Sequence, residues 1–179
     1  IRLSGQQLLD LVDEILDLSS IEAGSLVMNP MPTKLHAVLQ EQLDAVRLQA
    51  QNANLELKPL DCDEALVVRA DPRRLAQVTR NLLSNAVKYT VHGHVQIRVR
   101  LVDGAARVEV IDTGLGIPVD QQSKLFTPFQ RIEHPGHMRS GTGLGLAICR
   151  RLVGAMNGDI GVVSVPGEGS TFWFTVPLA

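Results

Sequence analysis

Aromatic side chains are scarce, with one Trp, one Tyr and four Phe among 179 residues. A basic excess is missing too, since 17 Lys and Arg stand against 19 Asp and Glu. A nucleic-acid binder normally shows a basic footprint and stacking platforms, so DNA and RNA are not expected partners. No apolar run approaches the roughly 18 residues of a membrane span, and the first residues lack a signal-peptide pattern. The chain is therefore expected to be soluble and cytoplasmic, with any membrane tether of a parent protein in other segments. The two cysteines, Cys62 and Cys149, stand far apart without CxxC or His spacing, which excludes a zinc motif and predicts ordinary thiols in a reducing setting.

What is present suits one domain with an appendage, and the apolar share supports a real core. Residues 4–23 are predicted as one helix with two adjacent stripes: Leu8, Leu11, Ile15 and Leu18, then Leu9, Val12 and Leu16. That face is too broad for a single partner, as in a helix taken from a larger bundle. Gly24, Pro30 and Pro32 mark a linker with a short strand, which divides the chain into residues 1–27 and 28–179.

A second helix is predicted over residues 35–52. "LELKPL" and "EALVVRA" are predicted strands around a turn at residues 61–63. Asp71-Pro72 opens a helix running to about residue 90, with Asp as cap and Pro in the first turn. "HVQIRVRLV" and "AARVEVID" alternate and meet at Asp103-Gly104, a hairpin signal. A short helix over 119–126, a segment to residue 140 with few structural signals, a helix over 143–156 and strands "DIGVVSV" and "STFWFTVPL" follow. The blocks are not a strict βαβ alternation. They predict an α+β fold, a two-layer sandwich whose mixed, mainly antiparallel sheet carries its helices on one face.

At about 100° per residue, Gln77, Asn81, Asn85 and Lys88 share one arc of the 72–90 helix, while Leu75, Val78, Leu82 and Ala86 share the other side. Such a polar arc suits solvent. It also suits a hard cation, because asparagine is a poor helix former but a neutral oxygen ligand of the kind Mg²⁺ accepts. "SGTGLGLAI" leads glycines into a helix, where N–H groups and the macrodipole favour an anion. By itself it matches neither the P-loop nor the dinucleotide fingerprint in context. "DTGLGIP" places an acid, two glycines and a proline directly after a strand, which alone also fits a plain turn.

Taken together and in order, "NLLSNAVKYT", "DTGLGIP", "LFTPFQR" and "GTGLGLAI" closely resemble the catalytic ATP-binding domain of sensor histidine kinases, a member of the Bergerat-fold ATPases. The resemblance runs from about Met31 to the C-terminus. "QQLLDLVDEILDLSSIEAGSL" resembles the second helix of the kinases' dimerisation bundle and its exit linker.

The resemblance implies that Asp112 accepts a hydrogen bond from the exocyclic amine of adenine, with Gly114 and Gly116 letting the base approach the backbone. It makes Asn85 the Mg²⁺ ligand and sets Asn81 and Lys88 near the phosphates of ATP, with Tyr89 along the nucleotide. Arg131 resembles a lid arginine that meets the terminal phosphate, and Gly141, Thr142, Gly143, Leu144 and Gly145 form the glycine-rich phosphate turn. Thr171 matches a threonine near the adenine, and Phe126 and Phe129 are expected as lid anchors packed on the domain. His134 and His137, within 128–140, lack a third ligand at useful spacing and are expected as loop residues, as are His92 and His94 in a turn.

In hydrolytic relatives a glutamate stands where Asn81 is found, and an amide cannot act as general base toward water. The expected reaction is transfer of the γ-phosphate to a histidine on a bundle helix. No stretch resembling "SHELRTPL" occurs, and His36 has the wrong context, so the chain is expected to bind ATP without phosphorylating itself. Implied partners are the acceptor-histidine bundle, a response-regulator receiver domain and a second kinase protomer. A degenerate module that holds nucleotide without phosphotransfer is the alternative.

Overall fold

The computed structural model describes residues 23–130 and 142–179 throughout, together with 12, 15, 16, 19 and 20. Strand β1 (Met31–Lys34) leads into helices α1 (Leu35–Ala45) and α2 (Arg47–Asn52), strand β2 (Glu56–Leu57) and strand β3 (Val67–Ala70). Helix α3 (Pro72–Tyr89), the hairpin β4 (His94–Val102) and β5 (Ala105–Asp112), and the short helix α4 (Val119–Gln122) follow. Helix α5 (Gly145–Ala155) and strands β6 (Ile160–Val165) and β7 (Gly169–Pro177) complete the order.

Five strands form one sheet in the order β2-β4-β5-β7-β6, antiparallel except for the β2/β4 pair. Alternation decides which face is buried. Val95 and Ile97, Ala106, Val108 and Val110, and Phe172, Phe174 and Val176 point to the helix side. They meet Leu75, Leu82 and Leu83 of α3, Leu35 and Leu39 of α1, and Ile148 and Leu152 of α5 in one core cluster. The result is the expected two-layer sandwich, with α3 between α1 and α5. On the opposite face Glu109 accepts from Arg98 Nη2 at 2.8 Å and Arg107 Nε at 3.1 Å, and the Arg107 guanidinium lies over Trp173.

The expected helix over 35–52 is broken at Val46, a buried β-branched residue at φ −92°, ψ −1°, with neither Gly nor Pro to announce it. "LELKPL" keeps only the two residues of β2, followed by an isolated bridge from Asp61 to Arg98. "EALVVRA" yields β3, which leaves the main sheet and pairs antiparallel with β1.

Helix α3 begins as its sequence predicts. Oδ1 of Asp71 accepts from the N–H of Arg73 and Arg74 at 3.0 and 3.3 Å, satisfying donors that the first turn leaves open. The other oxygen, Oδ2, accepts from the N–H of Asn29 at 3.0 Å, so the same carboxylate holds the linker. Earlier in the chain, Val12, Ile15 and Leu16 are helical and exposed. Leu8, Leu9, Leu11 and Leu18 lie outside the described residues.

Candidate functional site

Three chain segments meet around the polar arc of α3. At its C-terminal end the carbonyl of Tyr89 accepts from the N–H of Leu115 at 3.3 Å, which ties the loop after β5 to the helix. In its middle, Asn85 Nδ2 donates to Asn81 Oδ1 at 3.3 Å, joining the two amides and leaving the Asn85 carbonyl oxygen as its acceptor end. The start of α5 lies against this pair, because a Cβ on Gly145 would come within 2.8 Å of Asn81 Oδ1. Asn81, Asn85, Lys88 and Tyr89 are all half-buried, as a face lining a cleft would be. Lys88 Nζ sits 5.1 Å from the Tyr89 ring centroid, and Gln77, the first member of the arc, accepts from Arg74 Nη1 at 2.8 Å.

Asp112 ends β5 only 6% exposed. Burial pushes its carboxyl up from 3.8 to about 6, against the N–H groups of Gly114 and Ser170, which pull it down. The Gly114 N–H donates to Oδ1 at 2.8 Å. A side chain at Gly114 would stand 2.5 Å from the Tyr89 carbonyl oxygen and 2.8 Å from this same Oδ1. Gly116 sits at φ +66°, where a Cβ would run into the Val165 carbonyl. Both glycines are thus required by the chain's own packing before any base approaches.

In the glycine-rich turn, Gly143 sits at φ +76°, where a Cβ would stand 3.0 Å from the Phe129 and Gln130 backbone. Its carbonyl accepts from the Phe129 N–H at 3.0 Å. Thr142 Oγ1 accepts from the Leu144 N–H at 3.1 Å, and Leu144 is fully buried. Among the described residues no side chain caps α5, and the N–H groups of a first helical turn suit an anion. Arg131, Gly141, His134 and His137 lie outside the described residues.

Two expectations fail on geometry. Phe126 packs partly buried against the core, but Phe129 is 69% exposed and anchors nothing through its ring. Thr171 pairs with Ile111 and Val163 on the sheet face turned away from the helices, whereas Asp112 pairs with Ser170 on the helix side. The hydroxyl residue beside Asp112 is Ser170. Ser170 continues the buried alternation of Phe172, Phe174 and Val176.

Residues absent from the sequence reading hold the pocket in shape. Ser164 Oγ accepts from the Ile117 N–H at 2.8 Å, and Gln122 Nε2 donates to the carbonyls of Ile117 and Ser164, both at 2.9 Å. Thr113 Oγ1 accepts from the His94 N–H at 3.0 Å and lies by the His92 and His94 carbonyls, so those histidines serve the turn through their backbone. Cys149 is buried, and Cys62 is raised to about 11 by burial and then by Asp63 and Asp61.

A family model described as histidine kinase-, DNA gyrase B- and HSP90-like ATPase matches residues 70–179, which contain every site residue above. The chain is 41% identical over 182 residues to the sensor protein GacS of Pseudomonas syringae pv. syringae, covering 98% of itself and 20% of GacS. It thus spans about a fifth of that relative's length. Among solved structures it resembles full-length ShkA in complex with AMPPNP, with TM-score 0.87 and 32% identity over 99% of this chain and 37% of ShkA. It also resembles the nucleotide-free catalytic domain of histidine kinase ThkA, with TM-score 0.73 and 29% identity over 84% of this chain and 97% of that one.

Proposed function

Because the chain belongs to the histidine kinase-, DNA gyrase B- and HSP90-like ATPases, we propose that it is the catalytic ATP-binding domain of a two-component sensor histidine kinase. One relationship carries this reading. Tyr89, whose carbonyl holds the Asp112 loop, and Asn81, which meets the start of α5, lie on one face of α3, eight residues or about 12 Å apart along its axis. A buried carboxylate at one end and uncapped helix N–H groups at the other match the two ends of an adenine nucleotide.

Asp112 is the acceptor for the exocyclic amine of adenine. A base with a keto oxygen there would leave a buried acceptor unpaired, which disfavours guanine. Asn81 and Lys88 stand toward the phosphates, and the half-buried amide pair fits Mg²⁺. Asn85 offers a hard neutral oxygen, already oriented by its bond to Asn81. Among the described residues no three His, Cys, Asp or Glu side chains converge, so the remaining ligands of such a cation would be phosphate oxygens and water. When bound, the ion neutralises phosphate charge, which together with positioning is most of what phosphoryl transfer asks of a protein.

The amide of Asn81 cannot deprotonate water, which favours holding ATP for an external nucleophile over hydrolysing it. None of the chain's five histidines lies in a stretch of the phosphoacceptor type, so the nucleophile comes from a bundle helix carrying such a histidine. The exposed Val12, Ile15 and Leu16 support assigning residues 1–27 to that bundle. A homodimeric parent and a receiver domain as the next phosphate acceptor complete the reading. Among the described residues no helix is long and apolar enough to cross a membrane.

The test is phosphotransfer in trans. The chain, ATP and Mg²⁺ should phosphorylate a separately supplied acceptor bundle on histidine. Tight nucleotide binding without any phosphohistidine would make it a nucleotide-holding module instead.

A further inference from the structure

Behind Asp112 lies a pair of buried hydroxyls. Across the sheet, Asp112 pairs with Ser170 and Ser170 with Ser164, so the three residues form one row over β5, β7 and β6. Ser164 and Ser170 are 8% and 7% exposed, with their oxygens 2.9 Å apart. A hydroxyl has one proton and two acceptor sites. Ser164 gives its proton to the Gly169 carbonyl at 2.9 Å and accepts from the Ile117 N–H at 2.8 Å. It can therefore meet Ser170 only as an acceptor. The Ser170 proton points at Ser164, and what the Ser170 hydroxyl keeps for other neighbours is lone pairs alone.

We propose that Ser164 is a positioning residue for base selection: by taking the Ser170 proton it keeps Ser170 acceptor-only beside Asp112. This rests on Asp112 being the adenine acceptor. With Ser170 so fixed, the row offers acceptors and no side-chain donor, an arrangement that suits an amine and repels a keto oxygen. Gln122 supports it from outside, since its amide grips the backbone at both ends of the Ile117–Ser164 hydrogen bond.

The experiment compares calorimetric affinities for ATP and for inosine triphosphate, whose base carries a keto oxygen in place of the amine. Ser164→Ala removes the acceptor, frees the Ser170 hydroxyl to turn and donate to the keto oxygen, and is expected to lower the ATP-to-ITP affinity ratio about tenfold. Ser164→Thr keeps the hydroxyl and should hold the ratio. In a Ser170→Ala background the substitution at 164 should change the ratio no further, because its effect passes through Ser170. An unchanged ratio in folded Ser164→Ala, or equal weakening of both nucleotides, overturns the proposal. Should that variant fail to fold, Ser164→Cys fills the same space with a weak hydrogen-bonding group and carries the same test. Asp112→Asn separates the two layers. If it leaves ATP affinity and the ratio intact, the adenine assignment fails and this inference with it. If it abolishes selection while Ser164→Ala does not alter it, only the role of Ser164 falls.

Discussion

Gly145 begins α5 directly against the amide of Asn81, closely enough that a Cβ would lie 2.8 Å from Oδ1 and 3.0 Å from Cγ. On the proposed reading, these two residues mark the phosphate end of the cleft. Gly145→Ala is expected to displace Asn81, disturb its bond to Asn85 and weaken ATP about tenfold or more, with the fold retained. Calorimetry with a parallel thermal melt checks this, and unchanged affinity would remove the contact from the site.

Asn85→Ala should leave a residual, cation-independent affinity. Titrating ATP with Mg²⁺ and again with chelator, the wild type should differ between the two conditions and the variant should not. If the Mg²⁺ dependence survives intact, the cation is held elsewhere.

Asp112 should couple nucleotide binding to pH. Its folded carboxyl lies at about 6, above the ordinary 3.8, so the folded state binds the proton more tightly than the unfolded one. The stabilising contribution is full below about 3.8 and is lost as pH rises through about 6. Relative to the wild type without nucleotide, Asp112→Asn should thus gain stability between pH 4 and 7, by about 3 kcal/mol across that window. Melts of both proteins over that range test the sign. The same variant should lose ATP and ADP alike, since both carry adenine.

Gly116→Ala forces a Cβ toward the Val165 carbonyl at φ +66°. A loss of about 2 kcal/mol or more is expected, read as a lower denaturation midpoint. A midpoint equal to the wild type's would show that the loop relaxes without penalty.

Residue chemistry was legible wherever it is local. Asp71-Pro72 announced a capped helix, Asp103-Gly104 a hairpin, and the arc of Asn81, Asn85 and Lys88 a polar face on the helix that carries it. Strand parity was harder. Trp173 interrupts the apolar alternation of β7 on the outer face, where it packs over Gly161 and under Arg107, and this obscured that Ser170 rather than Thr171 shares a face with Asp112. The break at Val46 and the departure of β3 to pair with β1 depend on tertiary burial and partner choice, which no short window records. The same holds for Ser164, whose three partners lie 5, 6 and 47 residues away.

Asp71 grips two things at once: the first turn of α3 with one oxygen and Asn29 with the other. The linker is consequently rooted in the very helix that lines the cleft, a rod of about five turns. Residue 29 and the Asn81–Asn85 amide pair are thus anchored to one and the same helix.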